Sequence, residues 1–145
     1  MNSPSSPVWT KGTTEVYHTG TWRNSIPDYI NPPSPCHTAC PVGGNIALWI
    51  QQVKEKDYHA AWLTLTRNNP YPAIAGRICH HPCEPACNRK KYDEAISICG
   101  LERFVGDMAL KENWSFPAVP ITKREKVAIV GGGPAGLTAA FHLRQ

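Results

Sequence analysis

The sequence lacks any long apolar run: no stretch approaches the roughly 20 residues that a membrane-crossing helix needs, so no membrane is expected as a partner. Its first twenty residues, MNSPSSPVWTKGTTEVYHTG, contain no apolar core of a secretory signal. That absence sets the expectation of a reducing cytoplasm, where six cysteines are not used as a structural disulfide framework. Charge is sparse, at 18% of residues with a net charge of +4. The basic residues gather only in Arg89-Lys90-Lys91 and Lys123-Arg124-Glu125-Lys126, and no aromatic-flanked basic stripe accompanies them. Both runs read as solvated surface, and no nucleic-acid partner is expected. The chain has no internal repeat.

Proline and cysteine are what the chain has instead. Fourteen prolines in 145 residues imply a loop-rich fold with extended connections, while Trp, Leu, Ile and Val in the middle of the chain are enough for one modest core. Residues 1–34 read as an extended arm carrying Trp9, Tyr17, Trp22 and Tyr29, whose rings anchor it within the same protein. Residues 45–56 read as a helix capped by Asn45, with Ile46, Trp49, Ile50 and Val53 on one face. A second helix covers 58–67, with Ala61, Trp62 and Leu65 inward, ended by Asn68-Asn69-Pro70. The short link between them predicts a helical hairpin, with Trp49 and Trp62 as core residues. Residues 70–91 read as loop. A third helix is expected over 94–112, with Ile96, Leu101, Phe104, Val105 and Met108 on one face.

The cysteines are Cys36, Cys40, Cys79, Cys83, Cys87 and Cys99. Zinc ribbons favour paired C-x2-C knuckles. Here the spacing is C-x3-C-P, a long gap, then C-x3-C-x3-C. His37, His80 and His81 are further nitrogen donors, so zinc stays open, with the histidines otherwise read as loop residues or supports for the ligands. An iron–sulfur site ranks above it. In ferredoxin runs the cysteine before a proline serves a different cluster from its neighbours, because the proline turns the chain away. Cys40 therefore needs distant co-ligands, and Cys79 and Cys83 supply them.

The segments CHTACP, AGRICHHPCEPACNR and EAISICGLERFVGDMAL together resemble the N-terminal iron–sulfur domain of the glutamate synthase small-subunit family. The same domain begins dihydropyrimidine dehydrogenase and related NAD(P)H-dependent flavoprotein oxidoreductases. The resemblance runs over roughly residues 22–145. It implies two [4Fe–4S] clusters and a first cysteine run C-x2-C-x4-C-x3-C-P. On this sequence the last two positions of that run are Cys36 and Cys40, and the first two are Asp28 and Asn31. The family's crossed ligand sets imply Cys40, Cys79, Cys83 and Glu102 for one cluster. Cys36 and Cys87 remain for the other, whose two further positions are not cysteines. Cys99 stands three residues before Glu102, on the same helical face, and a thiolate suits iron better than a carboxylate. The expected cluster is thus held by Cys40, Cys79, Cys83 and Cys99, with Glu102 as the alternative fourth ligand. The second cluster is expected to be lost unless Asp28 replaces a cysteine.

Residues 117–126 form a proline-interrupted linker into VAIVGGGPAGLTAAFHL. This reads as a short buried strand, a G-x-G-x-x-G turn on Gly131, Gly133 and Gly136, and a helix start, which resembles the FAD-binding turn of flavoproteins with two dinucleotide-binding domains. The acidic residue that would hold the ribose falls past Gln145, so 127–145 is expected to be the incomplete start of an FAD domain, binding no FAD by itself. The reading is a mainly α fold: a helical [4Fe–4S] domain over 35–116 followed by the first βα unit of a truncated Rossmann-type domain. The resemblance implies an electron relay in a larger FAD- and NAD(P)H-dependent oxidoreductase, with a catalytic reductase or synthase subunit as partner. The alternative is a zinc-stabilised, non-enzymatic interaction module.

Overall fold

The computed structural model describes residues 32–145. The expectations for the arm, with Trp9, Tyr17, Trp22 and Tyr29, and for Asp28 and Asn31 lie outside the described residues. Six α-helices follow in order: α1 (Pro35–Ala39), α2 (Ile46–Lys54), α3 (Tyr58–Thr66), α4 (Pro72–Ile78), α5 (Ile98–Lys111) and α6 (Pro134–Arg144). A single 3-10 turn, Asn88–Lys91, lies between α4 and α5.

The α2–α3 hairpin is set by local chemistry. Asn45 accepts from the Leu48 amide and starts α2, and Asp57 accepts from the Ala60 amide and starts α3; each satisfies an orphan donor of a first turn. Between them Lys56 takes a left-handed φ of 65°. Its amide donates to Val53 O and that of Asp57 to Gln52 O, the paired closing bonds of a helix C-terminus. Asp57 thus ends one closure and begins the next helix. The same closure ends α5, with Asn113 at φ 54° and the Trp114 amide donating to Ala109 O.

Alternate burial along the helices builds the core. Ile46 and Trp49 of α2, Ala61, Trp62 and Leu65 of α3, and Ile98, Val105 and Ala109 of α5 are buried together with Cys83. The inward stripe of α5 is Ile98, Glu102, Val105 and Ala109. Phe104, expected inside, is 44% exposed and packs edge-on against Tyr58 with ring centroids 5.4 Å apart.

Residues 72–78, expected as loop, form α4. Pro72 opens it, where a missing N–H costs nothing. This helix lies along α5 at a crossing that only glycine permits. A Cβ on Gly76 would stand 2.6 Å from the Arg103 amide nitrogen, and one on Gly106 would overlap the backbone of Ala73 and Pro72.

The expected strand at 127–130 does not form; no strand occurs among the described residues. Val127 is 64% and Val130 100% exposed. A strand needs a neighbour to take its backbone hydrogen bonds, and none is present here. The glycine turn and its helix do form. Gly131 has φ 106°, and a Cβ on Gly136 would collide with Gly131 O. Helix α6 is held by Phe141 against Phe116, at 4.7 Å, which in turn stacks on Trp62 at 4.9 Å.

Candidate metal centre

A cavity of about 280 Å³ lies where the ends of α1, α3 and α4 meet the middle of α5. Its wall includes Cys40, Cys79, Cys83 and Glu102. Cys40 is the C-cap of α1. The Gly43 amide donates to Cys40 O across the following turn, and Gly43 has φ 62°, which favours glycine. Cys79 is the C-cap of α4, and the Gly76–Gly106 crossing therefore fixes Cys79 relative to Glu102.

The polar residues around these donors are paired with one another. Glu102 Oε1 accepts from Asn69 Nδ2 at 2.5 Å, and Glu102 Oε2 stands 3.0 Å from His81 Nε2. His81 Nδ1 donates to Cys79 O at 2.7 Å, so a single proton is shared between the other ring nitrogen and the carboxylate. The His81 amide donates to Cys79 Sγ at 3.4 Å. This arrangement holds His81 at φ 48°, a left-handed conformation uncommon outside glycine. Asn68 Nδ2 donates to Val42 O at 3.0 Å and braces the turn after Cys40.

Burial raises two acids of this wall, Cys83 and Glu102. The Cys83 thiol is pushed up to about 11, first by burial and then by the neighbouring Cys40. Burial also raises Glu102, against the opposing pull of His81 and Asn69. Such donors are costly to ionise alone, and bound cations reverse that cost.

Cys99 is not in this wall. Its thiol donates to Gly76 O at 3.2 Å, and its amide donates to Glu84 Oε1 at 2.8 Å. Burial, then Glu84 and Glu102, raise the Cys99 thiol. Glu84 here serves as the N-terminal cap of α5, since Ser97 makes no side-chain cap bond.

Cys36 and Cys87 come together in a second cavity of about 510 Å³, bordered by Lys54 and Arg89. Ser34 Oγ is 3.1 Å from Cys36 Sγ. The backbone amide of Ile96, with those of Arg89 and Lys90, lowers the Cys87 thiol despite its burial.

Of the three histidines weighed as ligands, only His81 lines the first cavity; His80 is exposed. Asn69 carries no signal in the sequence beyond ending a helix, and His81 is legible there only as a polar neighbour of cysteines. Among the described residues no three His, Cys, Asp or Glu side chains are grouped to hold one metal ion. Thiolates on one zinc must lie about 4 Å apart, given Zn–S bonds of ~2.3 Å. A four-iron cluster takes each ligand on a different iron and accommodates a wider set. Three thiols and a carboxylate around one apolar-walled cavity fit such a cluster and not a zinc knuckle.

A sequence-family model described as dihydropyrimidine dehydrogenase domain II, 4Fe-4S cluster, matches residues 26–114. The NADPH-Fe(3+) oxidoreductase subunit beta of Geobacter sulfurreducens is 39% identical over 111 residues, 76% of this chain and 16% of that protein. The NADP(+)-dependent formate dehydrogenase subunit beta of Moorella thermoacetica is 33% identical over 132 residues, covering 76% of this chain and 19% of that protein. The small chain of glutamate synthase [NADPH] from Bacillus subtilis is 37% identical over 109 residues, covering 74% of this chain and 22% of that protein. The chain thus spans about a fifth of the length of these relatives. Cysteine runs, helical frame and family match agree, and the chain belongs to the 4Fe-4S domain family of dihydropyrimidine dehydrogenase domain II.

Proposed function

We propose that this domain relays electrons within a larger cytoplasmic FAD- and NAD(P)H-dependent oxidoreductase, between the flavin and a partner reductase or synthase subunit. The observation that carries the reading is the convergence of Cys40, Cys79, Cys83 and Glu102 on one cavity in a chain matched by a 4Fe-4S family. When bound there, a [4Fe–4S] cluster supplies one-electron storage at a potential set by its surroundings.

The residues have separate tasks. Cys40, Cys79 and Cys83 are the thiolate ligands, and Glu102 is preferred to Cys99 as the fourth because it shares their cavity. His81 and Asn69 orient the Glu102 carboxylate. Leu65, Ile46, Trp49 and Ile98 supply the apolar part of the wall. Cys36 and Cys87 are the remaining thiols of a second site that holds no cluster. Gly131, Gly133 and Gly136 are assigned to an FAD-binding turn. Names of relatives as subunits or small chains support a partner subunit, and no helix among the described residues is long and apolar enough to cross a membrane.

The test is electron flow in the intact protein. With NAD(P)H supplied anaerobically, Cys79→Ala is expected to leave flavin bleaching intact while abolishing electron delivery to the partner. Delivery at the wild-type rate in a Cys79→Ala protein free of iron would remove the relay.

A further inference from the structure

The first cavity holds one polar group that the protein leaves unused. Among its lining side chains, Asn69, His81 and Glu102 are bonded to one another and Asn68 to Val42 O. Trp49 also lines the cavity, is 1% exposed, and its Nε1 has no hydrogen-bond partner among the described residues. A buried indole N–H ordinarily finds an acceptor, because an unpaired buried donor loses its hydration without compensation.

We infer that Trp49 Nε1–H is a positioning and tuning donor to sulfur at this centre, given by α2 to a cluster sulfide or a ligand thiolate. The inference rests on the cluster reading above. Trp49 is therefore more than a core filler. Its indole lines the cavity, and the loaded site would supply the acceptor that its one polar atom lacks. A donor to sulfur favours the state with more negative charge, so it raises the reduction potential.

One other buried polar atom lacks a partner, Gln52 Oε1, one turn further along α2. It is an acceptor and its residue does not line the cavity. It defines the rival account, in which Trp49 serves Gln52 instead.

The test uses the intact protein, isolated anaerobically. Iron and sulfide are measured first; a wild-type protein with neither overturns the cluster reading and this inference with it. In iron-loaded protein, Trp49→Phe keeps the ring and removes the donor. The expected result is full iron content, an unchanged circular dichroism spectrum, and a lower midpoint potential. At fixed potential the reduced-to-oxidised ratio should fall by about two- to thirteenfold, the range of one modest hydrogen bond. Gln52→Met should leave the potential unchanged. An unaltered potential in Trp49→Phe, or an equal shift in Gln52→Met, overturns the inference. If Trp49→Phe does not fold, the wild type carrying indole-15N tryptophan gives the answer. Electron–nuclear double resonance of its reduced state should show a tryptophan 15N coupling together with an exchangeable proton, and absence of both overturns the inference.

Discussion

The two cysteine cavities have Ile46 and Ile98 in common, and they differ in everything that holds a cofactor. The first gathers three thiols and a carboxylate from three separated stretches of chain, with His81 and Asn69 fixing the carboxylate. Among the described residues the second gathers two thiols, and its border includes the surface residues Lys54 and Arg89. The thiols also differ in character: burial raises Cys83, whereas backbone amides lower Cys87. Cysteine spacing alone does not separate these cases, because Cys36 and Cys40 share one short helix turn, as Cys83 and Cys87 share one loop. What separates them is whether distant elements bring enough further donors to the same place.

The helix crossing is where this contrast is most easily broken. Gly106→Leu drives a side chain into the backbone of Ala73 and Pro72. It should cost about 3 kcal/mol or prevent folding, and it should empty the first site of iron by moving Cys79 away from Glu102. A thermal melt and iron content check both; wild-type values in each would show that the crossing does not set the site. Next in size is the comparison of Glu102→Ala with Cys99→Ala. The first removes the proposed fourth ligand and leaves His81 Nε2 and Asn69 Nδ2 without their partner, at a cost of about 1–3 kcal/mol, with an altered paramagnetic spectrum of the reduced protein. The second should retain both iron and spectrum. Cluster loss in Cys99→Ala alone would reverse the assignment of the fourth ligand.

Smaller effects sharpen the picture of the frame. Glu84 caps α5 from the cysteine loop, so Glu84→Ala should cost about 1 kcal/mol and Glu84→Gln much less, read as the shift in melting temperature. Smallest is the exposed pair of Arg77 and Asp107, with both contacts at 2.8 Å. Arg77 holds the Asp107 carboxyl below its ordinary value of 3.8. Its stabilisation is therefore present above that value and lost as pH falls through the lowered one. Asp107→Asn should slightly flatten the acid limb of an unfolding curve and leave iron content unchanged.

Several of these features were legible in the sequence for identifiable reasons. Asn45, Ile46 and Trp49 announce α2, and Ala61, Trp62 and Leu65 announce α3, because cap and apolar spacing agree. Helix α4 was hidden because Pro72 and Gly76 are breakers by composition, and their use at a helix start and a close crossing depends on α5. The segment 127–130 is the opposite case: its apolar, β-branched residues suit a strand, yet a ladder is a property of two chain segments and not of one. At the site, the order of cysteines carried Cys40, Cys79 and Cys83. Cys99 and Glu102 lie one turn apart on α5 and look alike as donors in the sequence; of the two only Glu102 lines the cavity, which is why it is the one proposed as fourth ligand. The orphan Trp49 N–H had no signal in sequence at all.

The central claim is that one cavity holds a four-iron cluster and the other holds none. Iron and acid-labile sulfide, counted per chain in anaerobically isolated protein, test it most directly. The account predicts about four of each in the wild type, the same in a Cys36→Ala/Cys87→Ala double variant, and almost none in Cys83→Ala. About eight irons in the wild type, loss of iron in the double variant, or a single zinc without sulfide would contradict it.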